Sequence, residues 1–135
     1  MNRVSQKIRQ QIRERAGGRC EYCYLPELYG ITRFHADHII PVRRHLGSKS
    51  IENLAWACVS CNTNKSSDIA SYDTDTRQLT PLYNPRSQLW DDHFEITDGF
   101  IIGKTPSGRV TARLLEMNIL GQVEMRRYLI KAGLW

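Results

Sequence analysis

No stretch of the 135-residue chain approaches the roughly 20 consecutive apolar residues that a membrane-spanning helix needs. The opening MNRVSQKIRQQIRERAGGRC lacks the apolar core of a secretory leader, so a cytoplasmic protein with no membrane partner is expected. Internal repeats, low-complexity tracts and linker-like segments are also missing. The chain is therefore expected to be one domain over 1–135, long enough for a modest core and too short for two independent ones. Cysteine is restricted to four residues with no fifth, and acidic residues are scarce in the first half.

The acid shortage makes the charge uneven. Residues 1–70 carry 11 Lys/Arg against 6 Asp/Glu, whereas residues 71–135 carry 8 against 8, so the whole net charge of +5 belongs to the first half. A basic surface concentrates polyanions, of which nucleic acid is the commonest; a merely solvated basic face has the same composition.

Hydrophobic spacing and turn residues outline an α+β chain. Val4, Ile8 and Ile12 recur every four residues between Lys7, Arg9, Arg13 and Arg15, which predicts an amphipathic helix with a basic polar face over 3–16, stopped by Gly17-Gly18. Thr32 to Ile40 favours a strand closed by Pro41, followed by a loop at Gly47–Ser50, a partner strand over 54–57 and a short helix over 59–67. In HFEITDGFIIG, Asp98-Gly99 between apolar runs predicts a two-residue β-hairpin. After Gly108 the composition is helical, broken near Asn118–Gly121 and ended by Gly133.

The cysteines form two pairs, Cys20-Glu-Tyr-Cys23 and Cys58-Val-Ser-Cys61. Two residues between thiols let both sulfurs of a tight turn meet one tetrahedral ion, and two such turns complete a structural zinc site. Disulfides are disfavoured in a reducing compartment, and a redox Cys-x-x-Cys would leave the second pair unexplained. The 34 residues between the pairs exceed the roughly 15–20 of a zinc ribbon, so a substantial insert lies between them.

That insert holds an adjacent acid and base, Asp37 and His38, and an amide, Asn53, with Asn62 just after Cys61. Phosphodiester hydrolysis needs such groups. Anionic oxygens repel a nucleophile and the alkoxide leaves poorly, problems a divalent cation relieves, while a neutral imidazole can take a proton from water. Asp37 offers a hard oxygen ligand, Asn62 a second, and His38 the base. Adjacent strand residues point to opposite faces, so joint action requires a strand end or bend near Pro41.

CEYC, DHIIP, LGSKSIENL and CVSCNTNK together resemble the HNH endonuclease family, whose ββα-metal motif strings these elements in this order; the likeness covers residues 17–67. The resemblance implies a ββα-metal (His-Me finger) core stabilised by a four-cysteine zinc site, with an N-terminal helix and a C-terminal hairpin plus helices over 68–135. It implies His38 as general base, Asp37 and Asn62 as ligands of a catalytic Mg²⁺ or Mn²⁺, Asn53 as brace of the loop carrying the base, and Cys20, Cys23, Cys58 and Cys61 as zinc ligands. Many members have His where Asn62 stands, and a hard oxygen pair suits Mg²⁺ or Mn²⁺ better than an imidazole-rich site. LYNPRSQLWDDHF and GKTPSGRVTARLLEMN are similar to a bacterial subgroup of the family.

DNA is the partner this implies, with RNA not excluded. Arg43, Arg44 and Lys65 are expected to grip phosphate, and His35, a strand residue ranked after His38, is a candidate for a supporting contact to metal or phosphate. His45 and His93 are expected in solvent, and Trp56, Trp90 and Phe94 in the core. A nonenzymatic zinc-stabilised DNA-binding module and an accessory subunit of a nucleic-acid-processing complex are the alternatives; neither needs Asp37, His38 and Asn62 together.

Overall fold

The computed structural model describes residues 4–135. Its first helix, α1 (Gln6–Arg15), starts where the Ser5 hydroxyl accepts from the Ile8 N–H at 3.2 Å and gives way to Gly17 and Gly18, both at positive φ. Residue 3, at the start of the expected helix, lies outside the described residues. Ile12 is fully buried.

The basic face of α1 is not a free polyanion surface. Arg9 and Arg13 lie over the Trp56 ring at 4.9 and 5.1 Å, Arg9 donates to the Phe34 carbonyl, and Arg15 donates to the carbonyls of Ile51 and Leu54. Spacing alone could not separate solvated arginines from arginines whose stems and guanidiniums cover an aromatic side chain. Trp56 is fully buried beneath them, its indole N–H donating to Glu27 at 3.0 Å; truncation to Ala would cost about 3–5 kcal/mol.

Strand β1 (His35–His38) pairs antiparallel with β2 (Leu54–Ala57), His35 opposite Ala57 and His38 opposite Leu54. Between them lies α2 (Val42–His45), a four-residue helix that periodicity did not indicate. Helix α3 (Val59–Lys65) follows β2 directly, with Cys58 as its N-cap, and stops at Ser66, whose φ is 50°. The expected strand–strand–helix order is therefore present, with a shorter first strand and a helix ending at 65 rather than 67.

A second hairpin, β3 (Ala70–Tyr72) with β4 (Leu79–Pro81), was not expected from the sequence. Helix α4 (Trp90–His93) leads into β5 (Phe94–Thr97) and β6 (Phe100–Gly103), joined through Asp98 and Gly99 at φ 50° and 83°, both left-handed as a tight two-residue turn requires. A Cβ on Gly99 would also stand 2.7 Å from the Val123 carbonyl oxygen. Helix α5 (Pro106–Leu114) begins before Gly108 because Thr105 caps it and Pro106 opens it; α6 (Leu120–Lys131) follows the expected break.

Buried side chains from Ile12 to Leu129 form one cluster that includes all four cysteines, Trp56, Trp90 and Phe94. The second half seats on the first cysteine turn: Trp90 stacks on Tyr24 at 4.3 Å and donates to the Tyr22 carbonyl at 2.8 Å, and Arg86 pairs with Glu21. No helix among the described residues is long and apolar enough to cross a membrane.

Candidate active site and metal centre

The first cysteine pair sits in a turn pinned by an antiparallel bridge between Arg19 and Pro26, with the Cys23 N–H donating to the Cys20 sulfur at 3.4 Å. The second pair opens α3, where the Cys61 N–H donates to the Cys58 sulfur at the same distance. Each pair is local in sequence, and the β1–β2 hairpin brings the two together. All four sulfurs lie within 4.8 Å of one another and are buried, with Cys23 and Cys58 sulfurs 3.8 Å apart.

Their ionisation is strongly divided. Hydrogen bonding from Cys20, Cys23 and Cys61 holds Cys58 far below the ordinary thiol range, while hydrogen bonding with Cys20 pushes Cys23 and Cys61 well above it. Four sulfurs at this spacing cannot all be anionic without a cation among them, and a tetrahedral thiophilic dication meets that need. The cluster is compatible with zinc.

Asp37 and His38 end β1. Strand alternation sends them to opposite faces, and a bend at Ile39–Ile40 follows immediately. Asp37 is 6% exposed and held from two sides. The Tyr22 hydroxyl donates to its Oδ2 at 2.8 Å, and the Lys65 ammonium lies 3.3 Å from Oδ1 and 3.2 Å from Oδ2. Burial pushes the Asp37 carboxyl above its ordinary value, opposed by the Lys65 charge and the Tyr22 hydrogen bond; burial likewise keeps the proton on Tyr22.

Lys65 is therefore not the surface phosphate contact expected from the sequence. It is 1% exposed, and its ammonium also donates to the His38 carbonyl at 3.2 Å, so it ties the last turn of α3 to the end of β1. The signals for this network were Tyr22 lying between Cys20 and Cys23, and Lys65 lying one helical turn after Cys61. Neither residue type alone indicates a carboxylate partner.

Asn53 is buried and acts on the segment after His38. Its Oδ1 accepts from the Ile40 N–H at 2.9 Å, and its Nδ2 donates to the carbonyls of Ile40 at 2.8 Å and Ser48 at 2.7 Å. Gly47 passes so close that an added Cβ would stand 1.7 Å from the Ile40 oxygen, leaving no room for a larger residue.

His38, His35 and Asn62 are half-buried, and no hydrogen bond from the His38 ring or the Asn62 amide to another described residue is found. His35 shares the Asp37 face of β1 by alternation. Arg43 and Arg44 are exposed on α2, as is His45, whose Nε2 lies 3.0 Å from the Ser67 carbonyl. His93 departs from expectation: it is half-buried, with Nδ1 2.6 Å from the Thr105 hydroxyl at the start of α5.

The segment from the first cysteine to the end of α3 contains all of these groups except His93. Residues 20–68 match the HNH endonuclease family model. The match begins at Cys20 and takes in β1, β2 and α3, so the matched segment is the strand–strand–helix unit with both cysteine turns. No curated protein and no solved structure matches the chain.

Proposed function

We propose that the chain is a metal-dependent endonuclease hydrolysing DNA phosphodiester bonds, with structural zinc in the cysteine cage and Mg²⁺ or Mn²⁺ held by Asp37 and Asn62. The observation that supports this most is the HNH match falling on β1, β2 and α3, with an acid–base pair at a strand end and an amide directly after a metal-binding turn. Asp37 keeps acceptor capacity despite its two donors, since a carboxylate offers about four lone-pair sites, and the Asn62 oxygen would supply the second hard donor. When bound, the divalent ion supplies charge neutralisation at the phosphate and the departing oxygen.

The side chains divide the remaining work. His38, whose imidazole has no hydrogen-bond partner among the described residues, takes the proton from the attacking water. Asn53 fixes the backbone that follows His38, and the Lys65 ammonium fixes the His38 carbonyl and the Asp37 carboxylate. Arg43 and Arg44 present charge for backbone phosphates, His35 supports the Asp37 face, and RNA shares the phosphate chemistry that recognises DNA.

One observation favours a second reading, a nonenzymatic zinc-stabilised DNA-binding module: Asp37 is nearly inaccessible and already paired with Lys65. Supercoiled plasmid incubated with zinc-loaded protein and Mg²⁺ or Mn²⁺ separates the two. Nicking or linearisation is expected, falling about 10²–10⁴-fold in His38→Ala while its zinc content stays intact. Plasmid retention without cleavage by the parent would favour the binding module. Cleavage undiminished in His38→Ala would move the base to another residue, His35 first.

A further inference from the structure

The residues that follow His38 line a cavity of about 280 Å³. Ile39 and Ile40 bound it together with Lys65, whose ammonium is turned to Asp37 and the His38 carbonyl. Ile69, Pro81 and Leu82, where the Leu82 N–H donates to the Ile69 carbonyl at the base of the second hairpin, add apolar surface. The rest comes from two stretches that the proposed chemistry leaves without a role: Tyr83, Asn84, Ser87 and Gln88 of LYNPRSQLWDDHF, and Ser107 of GKTPSGRVTARLLEMN.

Two amides in this lining have fixed orientations. Asn84 Oδ1 accepts from the Arg86 N–H and Gln88 Oε1 from the Asn84 N–H, each at 2.8 Å, so both carbonyl ends are occupied. The two NH₂ ends and the Ser87 hydroxyl have no hydrogen-bond partner among the described residues. No carboxylate belongs to the lining. The cavity is also smaller than the roughly 300–1,000 Å³ of sites that enclose drug-sized ligands. Apolar walls, a few fixed donors and room for one flat ring match a nucleobase, whose faces pack on apolar side chains and whose edge carries acceptors.

The neighbouring elements place phosphate contacts beside it. Helix α2, with exposed Arg43 and Arg44, starts two residues after Ile40, and its His45 ring lies 3.0 Å from the carbonyl of Ser67, two residues before Ile69. The cavity thus adjoins both the segment of the proposed general base and the helix of the proposed phosphate contacts. A base reaches such a pocket only by leaving the duplex stack, a step that is costly for a paired nucleotide and least costly for an unpaired one.

We propose that this cavity receives an extrahelical nucleobase next to the scissile phosphate, so that DNA carrying an unpaired nucleotide is taken in preference to fully paired duplex. This rests on the reading of DNA as the substrate and adds the form of DNA that the site selects.

The test compares two duplexes of one sequence, one fully paired and one with a single extra thymine, whose carbonyls accept from NH₂ groups. Fluorescence anisotropy with zinc-loaded protein in Mg²⁺-free buffer reads binding without cutting. The parent is expected to bind the bulged duplex about tenfold more tightly or better, because no pair has to be opened. Ser87→Trp fills the cavity from an exposed position whose hydroxyl has no internal partner; Gln88→Glu keeps the acceptor for the Asn84 N–H but replaces the free NH₂ by an anionic oxygen. Each is expected to bring the two affinities together, with zinc content and unfolding temperature showing that the variant is folded. Equal binding of both duplexes by the parent, or a preference that survives in either folded variant, would overturn the inference; where Ser87→Trp does not fold, Gln88→Glu decides alone. Binding of neither duplex by the parent would refute DNA as the partner, and the inference with it. Preference for the bulged duplex without cleavage once Mg²⁺ or Mn²⁺ is added would refute the nuclease reading and leave the cavity's role standing.

Discussion

The cysteines and Asp37, both in the segment that matches the family model, use their ligand atoms differently. The four cysteine sulfurs face one another within 4.8 Å and leave nothing for another protein group to occupy. A few residues away, both oxygens of Asp37 are engaged by Lys65 and Tyr22, while the side-chain polar atoms of His38 and Asn62 have no partner among the described residues. The cysteines form a closed soft cage, whereas Asp37 is a hard donor already braced by Lys65 and Tyr22. The two are also mechanically joined, because Tyr22 belongs to the first cysteine turn and Lys65 to the helix that the second turn caps. Structural zinc would thus orient Asp37 without touching it.

The largest expected effect comes from breaking the cage. Zinc binding by such sites contributes on the order of 10 kcal/mol, comparable to a domain's whole stability of about 5–15 kcal/mol, so Cys58→Ala should lose zinc and cooperative unfolding together. Metal analysis with a thermal melt checks this. Retained zinc stoichiometry at an unchanged melting temperature would show that four thiolates are not the ligands.

Removing the brace should cost less. Lys65→Met leaves the Asp37 carboxylate buried without its cation, a change worth about 3–5 kcal/mol, or roughly 10–20 °C in a chain of this size. Adding Asp37→Asn removes the stranded charge and should recover a large part of the loss. A double variant no more stable than Lys65→Met would mean the two side chains are not coupled.

The smallest effect lies outside the matched segment, where Asp73 accepts both guanidinium bonds of Arg109 at 2.9 and 3.0 Å. Hydrogen bonding to Arg109 holds this carboxyl well below the ordinary range. A folded-state value below the unfolded one, about 3.9, adds stability above that pH, and the contribution disappears as pH falls toward the folded value. The melting-temperature gap between parent and Asp73→Asn should therefore be constant near neutrality and narrow below about pH 4. A gap that widened on acidification would have the wrong sign for this ion pair.

Legibility from sequence followed the range of the interaction. The cysteine pairs, the strand over 54–57 and the Asp98-Gly99 turn depend on residue types a few positions apart, and each stands where it was expected. Asn53 makes three hydrogen bonds to Ile40 and Ser48, in the segment that follows His38. The Lys65–Asp37 pair spans 28 residues and required knowing that α3 lies against β1. The arginines of α1 depended on Trp56, some forty residues away. The four-residue helices α2 and α4 are too short for a periodic signal and rest on tertiary packing.

The comparison between soft cage and hard site is tested most directly by graded chelation of active, zinc-loaded protein, following plasmid cleavage and bound zinc in the same samples. Brief EDTA treatment should abolish cleavage while one zinc per chain and the folded state persist, and added Mg²⁺ or Mn²⁺ should restore cutting in the parent but not in Asp37→Ala. Cleavage that survives removal of every divalent ion except the cysteine-bound zinc, or that disappears only in step with that zinc, would contradict a separate oxygen-ligated metal.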